Sequence, residues 1–244
     1  MRMARLSLGP KLDEMLDRLY DQSIAQNGEL ASYFSKRAAE GSLDWATVDP
    51  RTKEFLRDKL VALDRDKAEF CYELCRALRA RRVVEAGTSF GVSTLFLAAA
   101  VRDNLKAYGG DGLVIGTEHE PAKAAAARVH FAEAGLSHII DLREGDLRQT
   151  LATVQGPVDL MLIDIWIPMA QPALALVAPR LRPGAVILCD NTTTFREAYR
   201  EYFEFLSDPG NDFRTLTLPF EGGLEFTVRG DRSAHTPRGE AEGC

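Results

Sequence analysis

From Arg82 onward the chain alternates short apolar runs with helix-length segments, and that alternation restricts it to a parallel sheet built from βαβ units. Residues 82–87 (RVVEAG) read as a first strand and 93–103 (STLFLAAAVRD) as its helix. A second strand follows at 113–118 (LVIGTE), with an alanine-rich helix at 122–135 that Gly135 closes. Residues 139–146 (IIDLREGD) and 158–166 (VDLMLIDIW) are the third and fourth strands. A helix over 171–181 ends before Pro183 and Gly184, and 185–191 (AVILCDN) forms the fifth strand, with a helix predicted over 194–208. The pattern then changes. Residues 213–220 and 224–230 alternate polar and apolar across a short Glu221-Gly222-Gly223 turn, which predicts an antiparallel hairpin closing the sheet.

Upstream, Leu12, Met15, Leu16, Leu19 and Tyr20 recur at helical spacing, followed by Leu30, Tyr33 and Phe34. Further helical stretches begin near Arg51 and at Lys67, where Phe70, Leu74 and Leu78 share a face. No Gly/Ser linker separates these from the sheet, so residues 1–66 are expected to be a helical cap on a domain spanning 67–230. The aperiodic stretch 231–244 is expected to be a disordered tail. With 30 basic and 36 acidic residues the net charge is −6, which argues against nucleic acid, whose phosphates call for a basic face. Cys71, Cys75, Cys189 and Cys244 form no CxxC pair and read as reduced thiols. No apolar run resembles a signal peptide or a membrane span, so a cytoplasmic protein is expected.

Function is concentrated where strands end. Glu85 closes the first strand, and Gly87 and Gly91 bracket the turn that follows it. Gly87 would let the backbone approach a ligand, and Gly91 would let the helix start pack against the sheet. The E-x-G-x-x-x-G spacing differs from the G-x-G-x-x-G of dinucleotide sites, and an acid beside the turn repels phosphate while favouring a cationic ligand end. Glu118, ending the second strand, suits two ribose hydroxyls, and Asp146, ending the third, suits an adenine amino group. Acids at three consecutive strand ends describe a ligand lying across the sheet edge.

These residues resemble the class I S-adenosylmethionine-dependent methyltransferases, in particular the catechol O-methyltransferase-like branch. VVEAGTSFGVST resembles the first motif, GTEHEP the second, REGD the third, LCDN the metal-binding pair and PFEGGLEFTVR the terminal hairpin, an outline covering roughly residues 67 to 230. The resemblance implies a Rossmann-like α/β fold: a seven-stranded, mostly parallel sheet with helices on both faces, a C-terminal antiparallel hairpin and an N-terminal helical cap. It implies S-adenosylmethionine as cofactor, held by Glu85, Gly87, Ser89, Gly91, Ser93, Glu118, His119, Asp146, Asp164 and Trp166. Trp166 would pack beside the adenine and His119 would flank the adenosine.

The resemblance further implies a divalent metal, magnesium-type, on Asp164, Asp190 and Asn191, with Asp164 catalytic. Two adjacent strand ends roughly 4.8 Å apart could bring such oxygens together. It also implies a homodimer that methylates a hydroxyl of a small molecule, aromatic ones included. Trp45, Tyr33, Phe34, Met169 and Phe195 are candidates to bound that acceptor. One position departs from the pattern: where catechol-type members carry a lysine three residues after the first metal ligand, this chain has Ile167, then Pro168. The departure favours, as an alternative, a metal-independent N- or S-methyltransferase of the same fold. A nicotinamide oxidoreductase, a catalytically silent methyltransferase-like subunit and an RNA methyltransferase are the other readings.

Overall fold

The computed structural model describes residues 6–231. Four helices come first: α1 (Pro10–Ala25), α2 (Asn27–Ala39), α3 (Pro50–Leu56) and α4 (Arg65–Ala77). They lead into β1 (Arg82–Ala86), α5 (Val92–Tyr108), β2 (Leu113–Glu118), α6 (Pro121–Glu133) and β3 (Ile140–Glu144). The second half comprises α7 (Leu147–Thr150), β4 (Val158–Ile163), α8 (Ala170–Val177), β5 (Leu181–Asp190), α9 (Arg200–Ser207), β6 (Phe213–Leu218) and β7 (Leu224–Arg229).

The strands form one seven-stranded sheet in the order β3-β2-β1-β4-β5-β7-β6. All neighbouring pairs are parallel except those made by β7, which runs antiparallel to β5 and β6. The period-two alternation of the strands divides the core. Val83, Leu160, Leu162, Val186 and Leu188 face a cluster shared with α1, α4 and α5. Their neighbours Val84, Met161, Ile163, Ile187 and Cys189 face one shared with α8 and α9. A sheet buried on both sides accounts for the nearly continuous apolar runs of β1, β4 and β5.

Chain order reverses at β1: β2 and β3 are laid down on one side of it, β4 and β5 on the other. Loops leaving β1 and β4 therefore diverge to opposite faces and leave a crevice at the carboxyl edge.

Three elements differ from the periodicity. β5 begins at Leu181, and its pairing with β4 shifts between Val158 and Leu160, which accommodates the exposed Pro183 and Gly184. α8 stops at Val177, and Ala178–Arg180 form a 3-10 turn. α9 starts at Arg200 rather than 194, because the Thr193 and Thr194 amides donate to the Gly222 carbonyl (2.9 and 3.1 Å) and so pin the preceding segment to the hairpin turn. Cys71, Cys75 and Cys189 are buried free thiols. Cys244 and, apart from Asp231, the expected tail lie outside the described residues. No described helix is long and apolar enough to cross a membrane.

Candidate functional site

The turn after β1 is built by close approach. Gly87 has φ +99°, and a Cβ there would stand 1.9 Å from the Asp164 carbonyl oxygen. The glycine thus lets the turn cross the end of β4, where Asp164 donates its amide to Ala86 O (3.0 Å). The approach expected toward a ligand is, in the structure, an approach to the neighbouring strand. Gly91 is corrected in the same way: a Cβ would lie 2.5 Å from the Phe131 ring, so the glycine admits α6 rather than the sheet.

Glu85 sits beneath this turn with no exposed surface and takes no part in the cavity wall. Its Oε2 accepts the Thr88 hydroxyl (2.8 Å) and the Thr94 hydroxyl from the first turn of α5. Burial raises its pKa, while the hydroxyls of Ser93, Thr94 and Thr88 oppose the rise. The residue expected to touch the cofactor is therefore a buried anchor that fastens the loop and sets a negative charge below it.

Glu118 lies in the wall and closes the loop from the other side. Its Oε2 accepts the Ser89 amide (2.7 Å), and its Oε1 accepts the Glu120 amide (2.8 Å). Each oxygen keeps a second lone pair for a ligand hydroxyl. Ser89, in the left-handed region at φ 49°, lines the wall with Ser93. Asp146 caps α7 through the Arg148 amide (2.9 Å) and grips the Arg148 guanidinium (2.6 Å). That hydrogen-bonded pairing holds its pKa down to about 2. His119 and Trp166 complete this side.

Together these residues bound one cavity of about 460 Å³ at the carboxyl edge of the sheet. The opposite wall comes from the cap, including Trp45, Leu56, Leu60 and Leu63, and from Met169 and Phe195. Trp45 packs on Phe195 with ring centroids 4.5 Å apart. Tyr33 and Phe34 lie outside that wall: Tyr33 stacks on Phe55 at 3.8 Å, and Phe34 supports Trp45 at 5.2 Å.

The expected metal ligands meet at the ends of β4 and β5, but both carboxylate oxygens of Asp190 are engaged. Asp190, 6% exposed at its side chain, places Oδ1 2.7 Å from the Lys67 ammonium. Its Oδ2 accepts the Asn191 side-chain amide (2.9 Å). Asn191, at φ 59°, turns its own Oδ1 toward the hairpin, where a Cβ on Gly222 would come within 2.7 Å of it. Among the described residues no three His, Cys, Asp or Glu side chains gather as a metal site, so a cation would depend on that amide oxygen. As arranged, the three residues do not fit a divalent metal. Asp164, half-buried, lines the cavity. Burial, with Asp190 and Glu85 nearby, holds its carboxyl well above the ordinary carboxylate range, and Lys67 opposes them.

Sequence reasoning missed Lys67, Thr88 and Thr94. It also missed the 3.3 Å ion pair from Lys53 on α3 to Glu120 beyond β2, which ties the cap to the sheet.

Residues 84–192, the stretch holding the β1 turn, Glu118, Asp146 and Asp190, match the family model described as a methyltransferase domain. Over that stretch the chain matches as a methyltransferase domain, and it is similar there to catechol O-methyltransferases. Among curated proteins the chain is similar to a catechol O-methyltransferase of Mycobacterium tuberculosis, 35% identical over 136 residues. That match covers 54% of this chain and 57% of the relative. A catechol O-methyltransferase of Niastella koreensis is 28% identical over 135 residues, 54% of this chain and 58% of its own length. The chain thus spans little more than half the length of the curated relatives it matches. Among solved structures, the O-methyltransferase TomG from Streptomyces achromogenes, in complex with SAM, shares the fold at TM-score 0.63 and 22% identity. That likeness covers 76% of this chain and 92% of TomG. An O-methyltransferase from Bacillus cereus, in complex with SAH, shares it at TM-score 0.60 and 22% identity, covering 69% and 82%.

Proposed function

We propose that this methyltransferase domain transfers a methyl group from S-adenosylmethionine to a hydroxyl of a small molecule. One observation carries the reading: Glu118, Asp146 and the Gly87 turn, the ends of three adjacent strands, face a single cavity at the switch point of the sheet. The cofactor, when bound, supplies an electrophilic methyl carbon on a sulfonium. Its recognition falls to residues of this chain. Glu118 accepts the ribose hydroxyls with its free lone pairs, Asp146 faces the adenine amino group, and Trp166 and His119 flank the base. Ser89 and Ser93 offer hydroxyls along the loop, and the buried charge of Glu85 favours the cationic amino acid end from below. Gly87 and Gly91 act through the backbone path they permit.

The acceptor would lie between the cofactor and the apolar wall of Trp45, Met169 and Phe195, which suits an aromatic molecule. Asp164 reaches the cavity beside that wall and would hold the hydroxyl in line with the methyl carbon. Alignment and exclusion of water by the cap are the main catalytic devices, and alignment can contribute roughly 7 to 11 kcal/mol. No step runs through a metal, because both carboxylate oxygens of Asp190 are engaged, one by the Lys67 ammonium and one by the Asn191 side-chain amide. A homodimer is part of the proposal and is supported by the resemblance.

The test is methyl transfer from S-adenosylmethionine to a panel of small phenols, read by mass spectrometry. An O-methylated product is expected, with Asp164→Asn lowering its rate at least roughly tenfold. Transfer to amine or thiol acceptors with the phenols untouched would overturn the assignment to oxygen.

A further inference from the structure

We propose that the Lys67 ammonium takes the place of a divalent cation at the ends of β4 and β5, so that the site works with its own fixed charge and binds no metal. The inference rests on the proposed function only for its setting at the acceptor side of the cavity. Lys67 leaves the first turn of α4 with its side chain 1% exposed, and its Nζ lies 2.7 Å from Asp190 Oδ1 and 2.9 Å from Asp64 Oδ2. A lysine so fully buried is stable as a cation only where carboxylates compensate it. Here two carboxylates touch it, one from β5 and one from its own helix start. With a carboxylate oxygen on each side within hydrogen-bonding distance, the ammonium is compensated where it sits.

A divalent ion on Asp190 would have to share Oδ1 with that ammonium, or displace the Asn191 amide from Oδ2. The first brings two positive charges together in a weakly screened place. The second would rotate Asn191, whose NH2 is the end of its amide able to face a carboxylate. The same ammonium lies against the buried Asp190 carboxyl and offsets the cost of burying it. It also steadies the β5 exit, where the Asp190 carbonyl accepts the Tyr199 hydroxyl (2.9 Å) and Asn191 enters the cavity wall. Lys67 lies outside that wall and is a positioning residue.

Titration with Mn2+, followed by the loss of its free electron paramagnetic resonance signal, tests the inference on the full chain and on Lys67→Met. The wild-type chain is expected to leave the signal undiminished, and Lys67→Met to tighten Mn2+ binding by roughly tenfold or more. Stoichiometric Mn2+ binding by the wild type that Asp190→Asn abolishes would overturn the proposal. So would a folded Lys67→Met as indifferent to Mn2+ as the wild type. If Lys67→Met alone fails to fold, Lys67→Met/Asp190→Asn, which removes charge and counter-charge together, is expected to fold and to ignore Mn2+. A double variant that also fails to fold counts against charge compensation as the role of Lys67. S-adenosylmethionine titration of the same wild-type sample reads the proposed function separately: a chain that ignores both ligands loses that function and keeps this inference.

Discussion

Glu85 holds its carboxylate away from water with hydroxyls as its nearest donors, so its charge is tolerated rather than compensated. Its folded-state pKa is raised above the unfolded value. A raised carboxyl pKa means that the folded state binds the proton more tightly. Its contribution to stability is therefore fully present below the unfolded pKa and is lost as pH rises through the folded one. Glu85→Gln keeps an acceptor for Thr88 and Thr94 without the charge. Thermal melts should show the variant equal to wild type in acid and more stable at neutral pH; a variant less stable at neutral pH would contradict the anchor role. Acids at strand ends were legible because an apolar run that stops at a carboxylate marks the sheet edge. What Glu85 touches was not, since Thr88 and Thr94 meet it only once the loop and α5 fold over β1. Lys67 reads in isolation as an ordinary lysine in the first turn of a helix. Its burial depends on α4 meeting the end of β5, a contact between residues far apart in sequence.

At the scale of elements, the β6–β7 turn reaches back to shape the site. Gly223 has φ +80°, and a Cβ there would lie 2.1 Å from Thr193 Oγ1 and 2.9 Å from Thr193 N. Gly222, beside it, receives the Thr193 and Thr194 amides. Gly223→Ala should cost about 1–3 kcal/mol and separate the turn from residues 191–195. Hydrogen exchange would then report faster exchange at the Thr193 and Thr194 amides, and unchanged protection there would contradict the latch. This contact also explains why the sequence overstates α9: residues 194–199 have helical periodicity, but the latch claims the backbone amides near the start of that stretch. The hairpin itself was legible from its alternation and its paired glycines. The early start of β5 was not, because Pro183 and Gly184 mark a break by local rules and are accommodated by a register shift against β4.

For the whole molecule, the order of strands matters more than any one motif. Two apolar clusters lie on opposite faces of the sheet, and chain direction reverses at β1, so the crevice there follows from connectivity. The cap closes it: α1 and α4 join the cluster on one face, and Lys53 pairs with Glu120 across the mouth. A cavity of about 460 Å³ with an apolar wall from the cap is the outcome. The most direct test is calorimetric titration with S-adenosylmethionine of the wild-type chain and of Glu118→Ala. One-site binding is expected for the wild type, weakened in the variant by about 1.5–3 kcal/mol through loss of hydrogen bonds to a charged acceptor. Absence of binding by the wild type, or equal affinity in the variant, would contradict the assignment of this cavity to the methyl donor.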